Sequence, residues 1–273
     1  MLKDITLGQY YPAESVIHRL DPRVKLVVTL AFIISLFLVN RIPGYLLAGV
    51  FLCLWVGLSR VPLSFMLRGM KAIFLLLLLT IVFNLFLTPG EAIFTWQRVV
   101  ITKEGVRIAS LMAIRLVFLI IGSSVMTLTT TPNQLTDGME ALMRPLKKLH
   151  FPVHEVAMMM SIALRFIPIL MEETDKIMKA QMARGADFET GGINRRARAL
   201  VPLLVPLFVS AFRRAGDLAM AMEARCYHGG DGRTKLKPLR YDRRDYLAYV
   251  LLVLYLVLAV LLGRGVIPFT LQG

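Results

Sequence analysis

Cysteine is scarce in this 273-residue chain, which contains only Cys53 and Cys226. Cys53 lies in an apolar run and Cys226 in a cation-rich segment, so the two do not suggest a disulfide framework or the paired spacing of a zinc site. Residues 1–25 lack the compact apolar stretch and cleavage site of a signal peptide, and we expect this segment to remain on the mature protein.

Motifs for catalysis and nucleotide binding are also lacking. The chain has no Gly-x-x-x-x-Gly-Lys-Ser/Thr loop, so we expect no ATP binding of that kind. Its apolar runs carry no paired carboxylates and no Ser/His arrangement, which argues against an integral membrane enzyme. Aromatic residues do not interleave with the basic ones, which argues against a nucleic-acid partner. His150 and His154 lie four apart, but Pro152 separates them, and the sequence predicts no metal site.

Hydrophobic residues, in contrast, make up 56% of the sequence, and 18% of its residues are charged. This composition is too apolar for an ordinary soluble domain unless the charges are segregated from the apolar runs. A membrane span needs about 20 mostly apolar residues. The sequence predicts an all-α integral membrane protein with about five transmembrane helices, at residues 26–39, 42–59, 72–88, 106–128 and 246–263. The first run is extended if Lys25 and Arg41 snorkel to the interface.

The basic residues are distributed unevenly between the two sides of these spans. Lys and Arg are retained on the cytoplasmic side of membrane proteins. With the N-terminus inside, the inner segments 1–25, 60–71 and 133–245 hold 4, 3 and 19 of the 32 basic residues. The sequence therefore predicts a multi-pass protein of the bacterial cell membrane, with its N-terminus and residues 131–245 in the cytoplasm.

The long segment between the fourth and fifth spans has helical periodicity. From residue 153 to 185, apolar residues recur mostly at three- and four-residue steps, which is typical of an amphipathic helix. A second helix is predicted over 194–225 and a shorter one over 134–149. The uncharged core of the second helix is short for a span, so we place both long helices at or below the inner membrane surface.

Three parts follow from this pattern. Residues 1–130 form an N-terminal membrane part with four transmembrane helices, residues 131–245 a cytoplasmic or interfacial region of long amphipathic helices, and residues 246–273 the last transmembrane helix and a C-terminal tail. In "LDPR", Asp21 and Arg23 predict a helix start rather than a catalytic pair.

Two short motifs end the long predicted helices. "MARGAD" contains Ala183, Arg184 and Gly185, and "MEARCY" contains Ala224, Arg225 and Cys226. Glycines follow both motifs, so each arginine is predicted near a helix C-terminus, where the helix dipole favours a cation. The arginines are interpreted either as plain C-terminal caps or as guanidinium groups that dock into an acidic groove of a partner protein.

At this point the chain resembles a known family, the transmembrane coupling subunits of energy-coupling factor (ECF) transporters. The resemblance covers nearly the whole chain and rests on the order and spacing of "HRLDPRVK", "TLTTTPNQLTDGMEALMRPLK", "MARGAD" and "MEARCYHGGDGRTKLKPL". One departure is Cys226, where the family usually has glycine. A left-handed cap is less favourable at cysteine than at glycine, so we expect the helix to continue to Gly229.

The resemblance implies a non-catalytic subunit of an ATP-driven vitamin importer. In such a complex, Arg184 and Arg225 would each enter one of two ABC ATPase subunits. ATP and Mg would be bound by those ATPases, with no cofactor in this chain. A separate substrate-binding (S) subunit in the membrane would carry the vitamin. Related importers of cobalt or nickel share this architecture and stay open as an alternative.

Methionines are concentrated on the two long helices. Unbranched, adaptable side chains suit either core packing or a surface that accepts several partners. We predict that these helices contact the S subunit through Met158, Met159, Met182, Met220 and Met222.

Two polar residues lie within the apolar runs. Arg115 is predicted near mid-bilayer, where an arginine needs a partner or water, so it is expected either to contact the bundle or the S subunit, or to snorkel. Asn84 predicts a hydrogen bond between helices. These two are the only hints of the midplane polar site that an independent secondary transporter would need.

Overall fold

The computed structural model describes residues 10–39, 41–96, 99–186, 188, 193–229 and 238–263. Eight α-helices lie in this part of the chain, with a two-stranded hairpin between the third and the fourth. The helices are α1 (Pro22–Leu38), α2 (Ile42–Ser59), α3 (Leu63–Leu87), α4 (Lys103–Thr129), α5 (Pro132–Met143), α6 (Val153–Ala183), α7 (Ile193–Glu223) and α8 (Arg243–Gly263).

The five apolar runs correspond to α1, α2, α3, α4 and α8, so the all-helical membrane fold is confirmed. The helix starts have local causes. Asp21 caps α1 by accepting a hydrogen bond from the backbone N–H of Arg23, as predicted, and Pro22 occupies the first turn. Thr102 caps α4, because its Oγ1 accepts from Gly105 N–H at 3.0 Å.

Length and apolar composition would allow α2, α4, α6 and α8 to cross a membrane. With 17 residues, α1 is slightly shorter. The sequence interpretation placed α6 at the inner membrane surface, whereas its composition also suits a span. That interfacial placement stays a prediction.

The hairpin of β1 (Ala92–Trp96) and β2 (Val99–Thr102) was not predicted. The strands are antiparallel, with Trp96 opposite Val99 and Ala92 opposite Thr102, and an irregularity falls between Ala92 and Phe94. Five and four residues are too few to give a clear alternating signal beside the strongly apolar run that forms α3.

The short predicted helix over residues 134–149 was wrong in its second half. The α-helix ends at Met143, and a 3-10 helix follows at Arg144–Leu149. Pro145 has no N–H to donate to the residue four positions earlier, so it ends the α-helical ladder. His150 then closes the segment with a left-handed backbone, φ 59°.

The chain divides into two compact units, and the boundary on the N-terminal side follows Gly138, inside α5. One unit contains α1 to α4 and α8, and the other contains α6 and α7. The three sequence-based parts stay a prediction.

The core of the first unit joins α1, α2 and α8. Every fourth residue of α1 points inward, from Val24 through Val28 and Phe32 to Leu36, and each is at most 3% exposed. These residues pack with Leu52 of α2 and with Ala248, Leu252 and Tyr255 of α8. The hydroxyls of Ser35 and Tyr255 hydrogen-bond at 2.6 Å inside this core. Many outward side chains are apolar, as a lipid-facing bundle requires.

Candidate functional site

The first arginine motif forms a complete backbone cap at the end of α6. Ala183 is the last helical residue, and Arg184 is the C-cap. Gly185 has a left-handed backbone, φ 90°, and its N–H donates to Met182 O at 2.9 Å. Ala186 N–H donates to Gln181 O at 3.0 Å. These two bonds define a Schellman motif, which satisfies carbonyls that the helix end leaves free.

The second motif repeats this geometry at the end of α7. Cys226 N–H donates to Glu223 O at 2.8 Å, and Tyr227 N–H donates to Met222 O at 3.1 Å. Cys226 takes the left-handed conformation, φ 54°, although it is not glycine. The expectation that the helix continues to Gly229 was therefore wrong. The cap hydrogen bonds outweigh the unfavourable conformation at Cys226.

Arg184 and Arg225 thus hold the same position in two equivalent caps, and both are exposed. Two carbonyls at each helix end accept from backbone N–H groups of the cap, so the cap forms without either guanidinium. Within the described part of the chain, neither side chain has a hydrogen bond or an ion pair. An exposed guanidinium with small neighbours such as Ala183 and Ala224 can approach a carboxylate with both arms of its fork.

Three of the five methionines are strongly exposed, namely Met159 at 58%, Met182 at 48% and Met220 at 63%, while Met158 and Met222 are half-buried. Each flexible side chain therefore offers apolar surface. Their role as an S-subunit contact stays a prediction.

Arg115 has partners inside the helical bundle. Its Nε donates to the Tyr45 hydroxyl at 2.9 Å and its Nη2 donates to Val39 O at 3.2 Å. The guanidinium also lies over the ring of Phe37, 5.6 Å from its centroid. These contacts tie α4 to the end of α1 and the start of α2, so an arginine is accommodated here by the bundle itself.

Among the described residues, Asn84 does not form the predicted interhelical hydrogen bond. Its Nδ2 donates to Thr80 O of the same helix at 2.8 Å. A side-chain amide in a helix can reach the backbone carbonyl four residues earlier, and this local acceptor competes with partners on other helices.

His154 pairs with a carboxylate rather than with His150. Its Nδ1 lies 3.3 Å from Glu140 Oε1. Among the described residues, no group of three or more His, Cys, Asp or Glu could hold a metal ion. Cys53 and Cys226 are both free thiols.

Sequence reasoning missed a polar cluster that joins the starts of α1 and α8 to the end of α4. The extension of the first apolar run was conditional on snorkelling by Lys25, but Lys25 is 1% exposed, and its Nζ donates to Thr129 O at 2.8 Å and to His18 O at 3.1 Å. Asp245, 2% exposed, accepts from the backbone N–H of Asp21 at 2.9 Å. The signal was visible as charged residues at the edges of two apolar runs, but pairing residues 224 positions apart requires the fold.

His18 completes this cluster outside the spans. Its Nε2 is 3.0 Å from Tyr11 O and its Nδ1 is 2.7 Å from Ser15 Oγ. A carbonyl can only accept, so Nε2 carries the proton and Nδ1 accepts from the serine hydroxyl. Burial lowers the pKa of His18, which favours this neutral form.

Comparison of the sequence with known proteins places the chain in a family. The sequence model of the cobalt transport protein family, CbiQ, matches residues 13–236. A protein of Clostridium kluyveri, named energy-coupling factor transporter transmembrane protein EcfT, is 53% identical over 263 residues, which cover 96% of this chain and 97% of the relative. The protein of the same name from Thermosediminibacter oceani is 53% identical over 249 residues (91% and 94%), and that from Bacillus subtilis is 50% identical over 263 residues (96% and 98%). With matches this long and this similar, the chain belongs to the CbiQ/EcfT family, the multi-pass membrane components of energy-coupling factor transporters.

Proposed function

We propose that this chain is the non-catalytic coupling subunit of an ECF-type importer and that it transmits motion from two cytoplasmic ABC ATPases to a membrane S subunit. The observation that carries the proposal is the pair of equivalent helix caps. Each presents an exposed arginine that its own helix does not use. The two helix ends that carry Arg184 and Arg225, the arginine tips, are equivalent and suit two similar ATPase subunits.

In this proposal, Arg184 and Arg225 each dock into an acidic groove on one ATPase. ATP and Mg stay on the ATPases, and closure of the two ATPases on nucleotide moves the two tips. α6 and α7 are continuous over 31 residues each, so about 45 Å of helix can carry a displacement at one end to the other. The arginines require a cytoplasmic location, which agrees with the basic character of residues 131–245.

The S subunit is proposed to dock on apolar surface of α6 and α7. In addition to Met159 on α6 and Met220 on α7, Phe208 and Phe212 of α7 are exposed, at 61% and 74%. Exposed apolar area on helices placed outside the five spans suits contact with a partner in the membrane or with the lipid interface. The cargo we propose is a vitamin, as the family resemblance implies. Cobalt or nickel is the second candidate, because the matching family model is described as a cobalt transport protein.

Affinity purification tests the proposal directly. The tagged chain would be purified from its native membranes as wild type and as the Arg184→Glu/Arg225→Glu double variant. We expect the wild type to recover two ABC ATPase subunits. The double variant should recover at least about tenfold less ATPase, since charge reversal places each glutamate opposite the carboxylates of the proposed acidic groove. Mass spectrometry of the small molecules retained by the complex would distinguish a vitamin from a metal ion.

The matched control is Arg165→Glu/Arg213→Glu, which makes the same charge change at exposed positions of the same two helices. It should retain the ATPases. Absence of ATPases from the wild-type preparation, or equal recovery with both double variants, would remove the proposed mechanism.

A further inference from the structure

The two helices that end in the arginine caps are joined by an ion pair. Arg214 of α7 donates from Nη2 to Glu173 Oε2 of α6 at 3.0 Å. Both helices span 31 residues and end in the same Schellman motif, so the ion pair connects two matching arms.

Arg214 lies on the side of α7 that packs on α6. Leu203, Leu207 and Leu218 lie along this side and are buried or half-buried, whereas Phe208 and Phe212 are exposed on the opposite side. The Arg214 side chain is 38% exposed and that of Glu173 is 25% exposed. Arg214 Nε is fully buried and has no hydrogen-bond partner within the described residues. The Nε side of the guanidinium is therefore inserted into the contact between the helices, while the rest of the side chain stays partly exposed.

The ion pair is equally distant from both arginine tips. Arg184 follows Glu173 by 11 residues, and Arg225 follows Arg214 by 11 residues. Eleven residues make about three helical turns, so each tip lies about 16 Å beyond the pair and within about 20° of the same helix face. Arg184 and Arg225 therefore hold matching positions along the two helices, counted from the ion pair.

The geometry points to the Glu173–Arg214 ion pair as the pivot that fixes the spacing and direction of the two arginine tips. Glu173 and Arg214 are positioning residues for the coupling that we propose, and the inference rests on that proposed function. The apolar contacts of a helix pair allow one helix to slide or rotate on the other. A single polar pair within such a contact selects one register.

A pivot makes a prediction that a purely stabilising contact does not make. A partly exposed ion pair adds little to the free energy of unfolding, so its loss should barely change the thermal midpoint. The same loss should change the distance between the tips, because several registers of α6 on α7 become accessible. Stability and tip spacing can therefore be measured separately.

The experiment measures tip spacing by double electron–electron resonance in the complex purified from membranes. Spin labels are attached at Ala180→Cys and Ala221→Cys, two exposed positions that each precede a motif arginine by four residues. The native cysteines are replaced as Cys53→Ser and Cys226→Gly. The test variants are Glu173→Arg, Arg214→Glu and the double exchange of both. The controls are Glu172→Arg and Arg213→Glu, the exposed neighbours with the same charge changes.

We expect each single reversal to broaden the distance distribution about twofold or to shift its maximum, while the double exchange restores the original distribution. The controls should match the unreversed protein, and the thermal midpoint should change by less than about 2 °C in every variant. Unchanged distributions in both single reversals, or failure of the double exchange to restore the spacing, would overturn the pivot. Recovery of ATPases in the same preparations reports separately on the proposed function, since tip spacing is measured whether or not ATPases are bound.

Discussion

At the scale of single residues, the most informative position is Cys226. It occupies the left-handed position that Gly185 occupies in the other cap. A residue with a β-carbon loses about 1–2 kcal/mol in that conformation. The two caps therefore have equivalent hydrogen bonds but different backbone conformational energies.

Cys226→Gly should raise the free energy of unfolding by about 0.5–1 kcal/mol, because glycine adopts the left-handed conformation without steric cost. The greater conformational freedom of glycine in the unfolded chain offsets part of this gain. Thermal unfolding of the detergent-solubilised protein measures this change. Gly185→Ala makes the reverse change at the equivalent position and should lower stability by about 1 kcal/mol. A stabilising effect of Gly185→Ala would contradict the equivalence of the two caps.

The sequence predicted that the motif arginines lie at helix ends, but it did not predict the backbone conformation of the second cap. The spacing of apolar residues and the following glycines predicted where α6 and α7 end. The left-handed conformation at Cys226 depends on a balance between the cap hydrogen bonds and a steric cost. From residue type alone, this conformation is expected only at glycine. Lys25 was misread for a related reason. Its acceptors are the carbonyls of His18 and Thr129, and backbone carbonyls have no sequence signature.

At the scale of helices, α4 and α1 approach closely at a glycine. A β-carbon built on Gly122 would lie 2.9 Å from Phe32 Cε1, and that ring is 3% exposed within the core. Gly57 of α2 is the opposite case, since nothing lies within 4 Å of its β-carbon position.

Gly122→Leu should therefore lower the free energy of unfolding by about 1–3 kcal/mol, because the buried Phe32 ring would have to shift to admit the new side chain. Gly57→Leu is the matched control and should be neutral, since its side chain would enter open space. Both variants are compared by thermal unfolding in the same detergent. Equal destabilisation by the two would mean that an effect of the added leucine on membrane insertion, not the α1–α4 contact, sets the result, because leucine has the higher helix propensity.

Helices were the elements that sequence predicted best. Five long apolar runs gave five helices, because bilayer thickness imposes a length that few other structures need. The hairpin of β1 and β2 escaped prediction because its strands are short, and the 3-10 helix because Pro145 acts on hydrogen bonds rather than on apolar periodicity. Packing partners were not predictable, since α1 and α8 meet across 220 residues of sequence at Ser35 and Tyr255.

At the scale of the whole bundle, Asp245 fastens the start of α8 to the start of α1. It accepts from the backbone N–H of Asp21 and from that of Asp242 at 2.7 Å. Asp21 and Asp245 are also the carboxylates that stabilise the charge of the buried Lys25. The removal of Asp245 would leave a buried N–H and a buried ammonium less well compensated.

Asp245→Ala should lower the free energy of unfolding by about 2–4 kcal/mol for this reason. Asp242→Ala is the control. That carboxylate is 69% exposed and 3.9 Å from Arg244, and it accepts a hydrogen bond from Arg243 N–H at 2.8 Å at the start of α8, so its loss should cost only about 0.5–1 kcal/mol. Thermal or denaturant unfolding of both variants gives the comparison, and a similar small loss in the two would show that the cluster is not a fastening point.

The pairing of α1 with α8 has a consequence for biosynthesis. A ribosome releases the chain in order, so α1 enters the bilayer long before the residues of α8 exist. Until then Ser35 has no Tyr255 to bond, and Phe32 lacks part of its surroundings. Shielding of the half-built bundle during translation must come from lipid or from an insertion chaperone, and the membrane core closes only when the last helix arrives.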